Sequence, residues 1–153
     1  MDWFVRNFVK ASVAWLALGV TLGVTMAAVP HWVVYRPAHM HMNLLGFVTM
    51  MIYGVAYHVI PRFTGNPLYS PRLATVHWWT ANAGLAGMVA GFALRPHLGS
   101  SAIPLLGAGA TLSAAGAYMF VYGLWRTIDG ERRLRDAQAR VRTSPGTPLP
   151  VAR

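Results

Sequence analysis

The chain of 153 residues contains no cysteine. That absence excludes disulfides, thiolate metal ligands, thiol nucleophiles and covalently attached heme. Any metal has to be held by histidine, methionine, carboxylate or backbone oxygen. Charge is also scarce, at 11% of residues, where a soluble domain carries about 25%. Acids are scarcest: Asp2, Asp129, Glu131 and Asp136 are the full set. With so few charges and 55% hydrophobic residues, a single bundle is the natural organisation at this length.

What the chain does have is apolar length. Four segments, about 8–29, 41–60, 74–94 and 102–125, each have the roughly 20 residues that cross about 30 Å of hydrocarbon as helix. Proline and glycine punctuate the stretches between them, Pro30 to Pro37, Pro61 to Pro71 and Arg95 to Ser101, and break helices there. The first segment lacks a small-residue cleavage site and is followed by others, so it reads as a retained span and not a signal peptide. The expected fold is all-α, a four-helix transmembrane bundle over residues 1–127. A basic cytoplasmic tail follows over 128–153, its end after Thr143 reading as disordered.

The formal charge of +9 would point to nucleic acid in a soluble protein. Here its distribution gives another reading. Arg6, Lys10, Arg62, Arg72, Arg126, Arg132, Arg133, Arg135, Arg140, Arg142 and Arg153 fall at the N-terminus, the second loop and the tail, leaving only Arg36 and Arg95 on the other side. The positive-inside rule places both termini in the cytoplasm. The expected partner of the basic tail is anionic membrane lipid, not nucleic acid. Small residues mark the packing faces. Gly19 and Gly23 form a GxxxG in the first segment, and Gly87 and Gly91 form another in the third. Such faces serve bundle packing or self-association, since lipid supplies no hydrophobic drive between helices.

Six histidines in so apolar a chain are the candidate functional groups, because ionisable side chains at membrane depth are rare and functional. His31, His39, His41 and His97 lie toward the outer face, and His58 and His77 toward the cytoplasmic face. His39 and His41 are two apart, about 200° around a helix, and so cannot share one ion. Histidine without cysteine suits heme iron, copper or zinc, and interfacial structural histidines are the bland alternative. For heme, Gly46 one turn past His41 offers room for a macrocycle, and Tyr53, Tyr57, Trp78 and Trp79 could line a slot. Arg36 could meet the propionates. His58 and His77 flank the second loop and form a candidate second metal or heme site.

The string from His39 to Gly84, HMHMNLLGFVTMMIYGVAYHVIPRFTGNPLYSPRLATVHWWTANAG, resembles helices ten and eleven of heme-copper oxidase subunit I, in the branch of cbb-type cytochrome oxidases and nitric oxide reductases. It covers roughly a third of the chain. The shared pattern is H-x-H, then Gly and an aromatic, an Ile-Pro-Arg, a Leu-Tyr-Ser and a His with two aromatics. The resemblance implies that His39 ligates a high-spin heme and His41 a low-spin heme, on a helix running inward from the outer face. His77 matches a position that inherits no ligand role. The further histidines of the family's dinuclear centre are not found, so a complete oxygen-reducing centre is not expected within one copy, and whether the chain is an enzyme stays open.

The expected function is a small stand-alone heme-binding (b-type) protein of the bacterial inner membrane, multi-pass, acting in electron transfer or in binding nitric oxide or oxygen. Copper is the lesser cofactor. One alternative is a heme-free accessory or assembly subunit of a respiratory complex. Another is a minimal reductase assembled as a homo-oligomer.

Overall fold

The computed structural model describes the backbone of residues 1–143 and side chains through residue 130. The expected disordered end of the tail lies outside the described residues. Helix α1 spans Trp3–Ala28. A 3-10 turn, Pro30–Tyr35, leads into α2, Arg36–His41, which passes directly into a π-helical stretch, Met42–Thr49, and then α3, Met50–Thr64. Helix α4 covers Pro71–Leu98, and α5 covers Ile103–Thr143 after a 3-10 turn at Gly99–Ala102. No strand occurs among the described residues.

Local chemistry sets these boundaries. Pro61 removes one ladder bond near the end of α3, and Gly65 closes the helix with φ 69°, the left-handed turn that glycine adopts without strain. The Ser70 hydroxyl accepts from the Leu73 amide at 3.2 Å, and Pro71 follows it, a cap with proline in the first turn. The π stretch has a visible competitor for the α-helical ladder. The Asn43 side chain donates to the His39 carbonyl at 2.9 Å, and the Thr49 hydroxyl donates to Leu44 five residues back at 2.8 Å.

Three helical stretches, not the four expected, are long and apolar enough to cross a membrane: Trp3–Ala28, Pro30–Thr64 and Pro71–Gly130. The correction has a physical cause. Arg95 to Ser101 was expected to be a loop, but α4 runs through Pro96 to Leu98 and α5 resumes four residues later. The third stretch therefore has 60 residues. It doubles back at Gly99, where φ is 56°, so that α4 and α5 lie side by side. Nor does the helix stop at the expected tail boundary, since α5 continues to Thr143. Hydropathy marks the apolar part of a helix and is blind to where its hydrogen-bond ladder ends.

Glycines set the packing. A Cβ on Gly109 would lie 2.5 Å from the Met88 backbone nitrogen, and one on Gly84 would lie 2.5 Å from that of Ser113. One on Gly91 would lie 2.9 Å from the Leu106 Cα. Backbone thus meets backbone along α4 and α5, the close approach that small residues permit. The GxxxG of α1 is used within the chain too: Gly19 meets Asn43, and Gly23 meets His39. A core of Phe4, Val5, Phe8, Met50, Tyr57, Ala74, Ala81 and Leu85 joins α1, α3 and α4.

Candidate functional site

The outer-end histidines diverge, as residues two apart must. His39 points at α1: its Nδ1 lies 2.8 Å from the Gly19 carbonyl, and its ring fills the space a Gly23 side chain would take. His41 points at α4: its ring packs on Phe92 at 4.7 Å, and its Nδ1 lies 2.8 Å from the Pro37 carbonyl. A carbonyl only accepts, so in both residues Nδ1 carries the proton and donates, and the Asn43 amide, 3.3 Å from His39 Nδ1, donates instead to the His39 carbonyl at 2.9 Å. The neutral imidazole then keeps its lone pair on Nε2. Neither Nε2 is sealed inside the protein without a partner, in contrast to that of His77. Both are half-buried histidines oriented by a backbone carbonyl, the arrangement that fixes a ligating imidazole.

The other residues singled out from the sequence fare differently. Gly46 is a packing glycine and no macrocycle seat, because a Cβ there would lie 2.6 Å from Trp15 Cβ and 3.1 Å from Leu85. Arg36 is exposed at the start of α2. Arg95, not singled out for a site, lines a recess with Val34, Pro37, Phe92 and Pro96, so two of the groups touching His41 border it. A larger apolar cavity of about 250 Å³ lies between the π stretch, α3, α4 and α5, and its lining from Leu45 to Ala117 includes no histidine. That cavity therefore offers no imidazole nitrogen, and the two outer-end histidines lie apart from it.

His58 and His77 are given separate partners. Arg62, a donor only, reaches His58 Nδ1 at 3.1 Å, which occupies that imidazole's lone pair. His77 is fully buried, with its Nδ1 2.9 Å from the Tyr57 hydroxyl. Phe8, Tyr53, Tyr57 and Phe120 surround its ring at 4.5–5.9 Å. Tyr53 and Tyr57, expected to line a heme slot, are spent on this cage. The burial of His77 was not legible from the sequence, although its place in an apolar run before Trp78 and Trp79 was the available signal. Among the described residues no three of His, Asp and Glu gather into a metal-ion site.

Long apolar helices packed through glycine, with oriented histidines at one end, define a multi-pass membrane protein. No protein-family profile matches the chain. It is 29% identical over 126 residues to cytochrome c oxidase polypeptide 1 of Halobacterium salinarum, covering 76% of this chain and 20% of that protein. Over 86 residues it is 29% identical to the Cbb3-type cytochrome c oxidase subunit CcoN1 of Stutzerimonas stutzeri, covering 52% and 18%. Over 117 residues it is 32% identical to a cytochrome c oxidase subunit 1-beta of Streptomyces coelicolor, covering 65% and 20%. The chain is thus similar to part of cytochrome c oxidase subunit I, and it spans about a fifth of the length of the curated relatives it matches.

Proposed function

We propose that this chain is a b-type heme protein of the bacterial inner membrane with a respiratory role in electron transfer or in binding a diatomic gas. One observation carries the reading. His39 and His41 each commit Nδ1–H to a backbone carbonyl, leaving Nε2 as the nitrogen able to bind iron. His41 is the favoured ligand: its partners Pro37 and Phe92 border an open recess, whereas His39 is wedged against Gly23. Arg36 and Arg95 are the cations available to carboxylates at that end. When bound, heme would supply one-electron chemistry. The chain's own residues orient the ligand. A heme placed there needs cover on its far side, which a second copy or another respiratory subunit would supply.

Heme extracted from detergent-purified protein and quantified against chain should give one heme b per chain. More than one, falling when His58 and His77 are both replaced by Ala, would instead support the second site. A heme-free accessory subunit is the second reading. It is favoured by the use both outer imidazoles already have in packing, and negligible heme would support it.

The reading includes four crossings, with α4 and α5 as separate spans and both termini cytoplasmic. The basic residues motivate this sidedness. A reporter fused at Ser100 should read periplasmic and one after Arg153 cytoplasmic. A cytoplasmic signal at Ser100 would overturn the arrangement.

A further inference from the structure

Between α1, α2 and α4 lies a second cavity, of about 380 Å³. An apolar cavity of about 150 Å³ already accepts a benzene ring. Its walls are apolar: Leu22 from α1, Ala38 from α2, Met42 from the π stretch, and Val89, Ala93 and Leu94 from α4. One end is different. Trp32 and Tyr35 of the 3-10 turn and His97 in the last turn of α4 line it. The Tyr35 hydroxyl and His97 Nε2 are 2.9 Å apart. The rings of Trp32 and Tyr35 meet edge to face at 5.6 Å, and those of Tyr35 and His97 are 6.3 Å apart. The polar end thus sits where the helices end, and the apolar end runs along their sides.

We infer that this slot binds a lipid-soluble planar six-membered ring bearing hydroxyl or carbonyl oxygens, the chemistry of an isoprenoid quinone or quinol. Each feature of the slot answers a feature of that class. The apolar walls take the ring body and the start of its tail. The aromatic faces of Trp32, Tyr35 and His97 suit a flat ring better than a flexible acyl chain. Tyr35 and His97 together offer a donor and an acceptor, and the free edge of either group can pair with a ring oxygen. The ring is neutral, and the hydroxyl–imidazole pair at the mouth places no acid against it. Met42 and Ala38 flank His39 and His41 in sequence, so a ring in the slot would lie next to the helix that carries both candidate ligands. The inference itself does not require heme.

The test is binding of decylubiquinone to the purified full chain in detergent, followed by calorimetry, with decanol as the apolar control. Decylubiquinone should bind, and decanol should bind far more weakly. Tyr35→Phe and His97→Leu should each weaken decylubiquinone binding by about tenfold, in proportion to a lost hydrogen bond. Ala93→Trp should abolish it by filling the slot. Heme content should be unchanged in Tyr35→Phe, which separates failure of this inference from failure of the heme reading. Tyr35→Phe removes one oxygen only, so it reports even if His97→Leu does not fold. Absence of decylubiquinone binding would overturn the inference. So would decanol binding as tightly, or affinity untouched by Tyr35→Phe, since the slot would then be no more than a groove for acyl chains.

Discussion

Gly109→Leu is expected to prevent α4 and α5 from packing. A Cβ at this position would lie 2.5 Å from the Met88 nitrogen, 2.8 Å from the Gly84 oxygen and 2.8 Å from the Gly87 carbonyl carbon. All three are backbone atoms and cannot turn aside as a side chain can. Overpacking a core commonly costs about 1–3 kcal/mol, and this contact belongs at or above the upper end because an entire helix must move. The expected result is loss of monodisperse protein in mild detergent, or a large drop in its unfolding midpoint. Gly107→Leu is the matched control. Two residues away on the same helix, Gly107 has nothing within 4 Å of an added Cβ, so its leucine variant should behave as the parent. Equal behaviour of the two variants would show that α4 and α5 do not pack through Gly109.

The second large effect concerns the heme ligand. His41→Ala should abolish heme binding or strongly change its spectrum, and His39→Ala should also perturb it. His97→Ala should do much less. The reasoning is one of tautomer and access. His41 donates through Nδ1 to Pro37 and His39 to Gly19, so each presents Nε2, whereas the Nε2 of His97 already faces Tyr35. His39→Ala carries a structural cost as well, because the imidazole fills the notch at Gly23. Heme content should therefore be compared at equal folded fraction, judged by helical circular dichroism. If heme content and the Soret band are unchanged in both His39→Ala and His41→Ala, the two residues are not ligands.

Much of this arrangement was legible in the sequence, for identifiable reasons. Apolar runs of spanning length gave the helical class, and the H-x-H gave two imidazoles on different sides, since helical geometry leaves no other option. Loop punctuation gave the turn after Thr64, where Gly65 and Ser70 do what their chemistry suggests. Other features depend on tertiary contacts that no local pattern carries. Gly46 reads as open space until Trp15 crosses it. His77 reads as interfacial until Phe8 and Phe120 close around it. The π stretch from Met42 to Thr49 changes the turn per residue, so α-helical counting from His41 does not carry through to α3. Pro96 read as a helix breaker, yet it costs α4 one bond and the helix continues to Leu98.

The central claim is that this chain binds heme non-covalently through an outer-end histidine. The most direct measurement is the visible absorption spectrum of the detergent-purified protein, oxidised and then reduced with dithionite. A Soret band that shifts on reduction, with the α and β bands of a b-type heme, is the predicted result. A folded protein with no Soret band, before or after incubation with hemin, would contradict it.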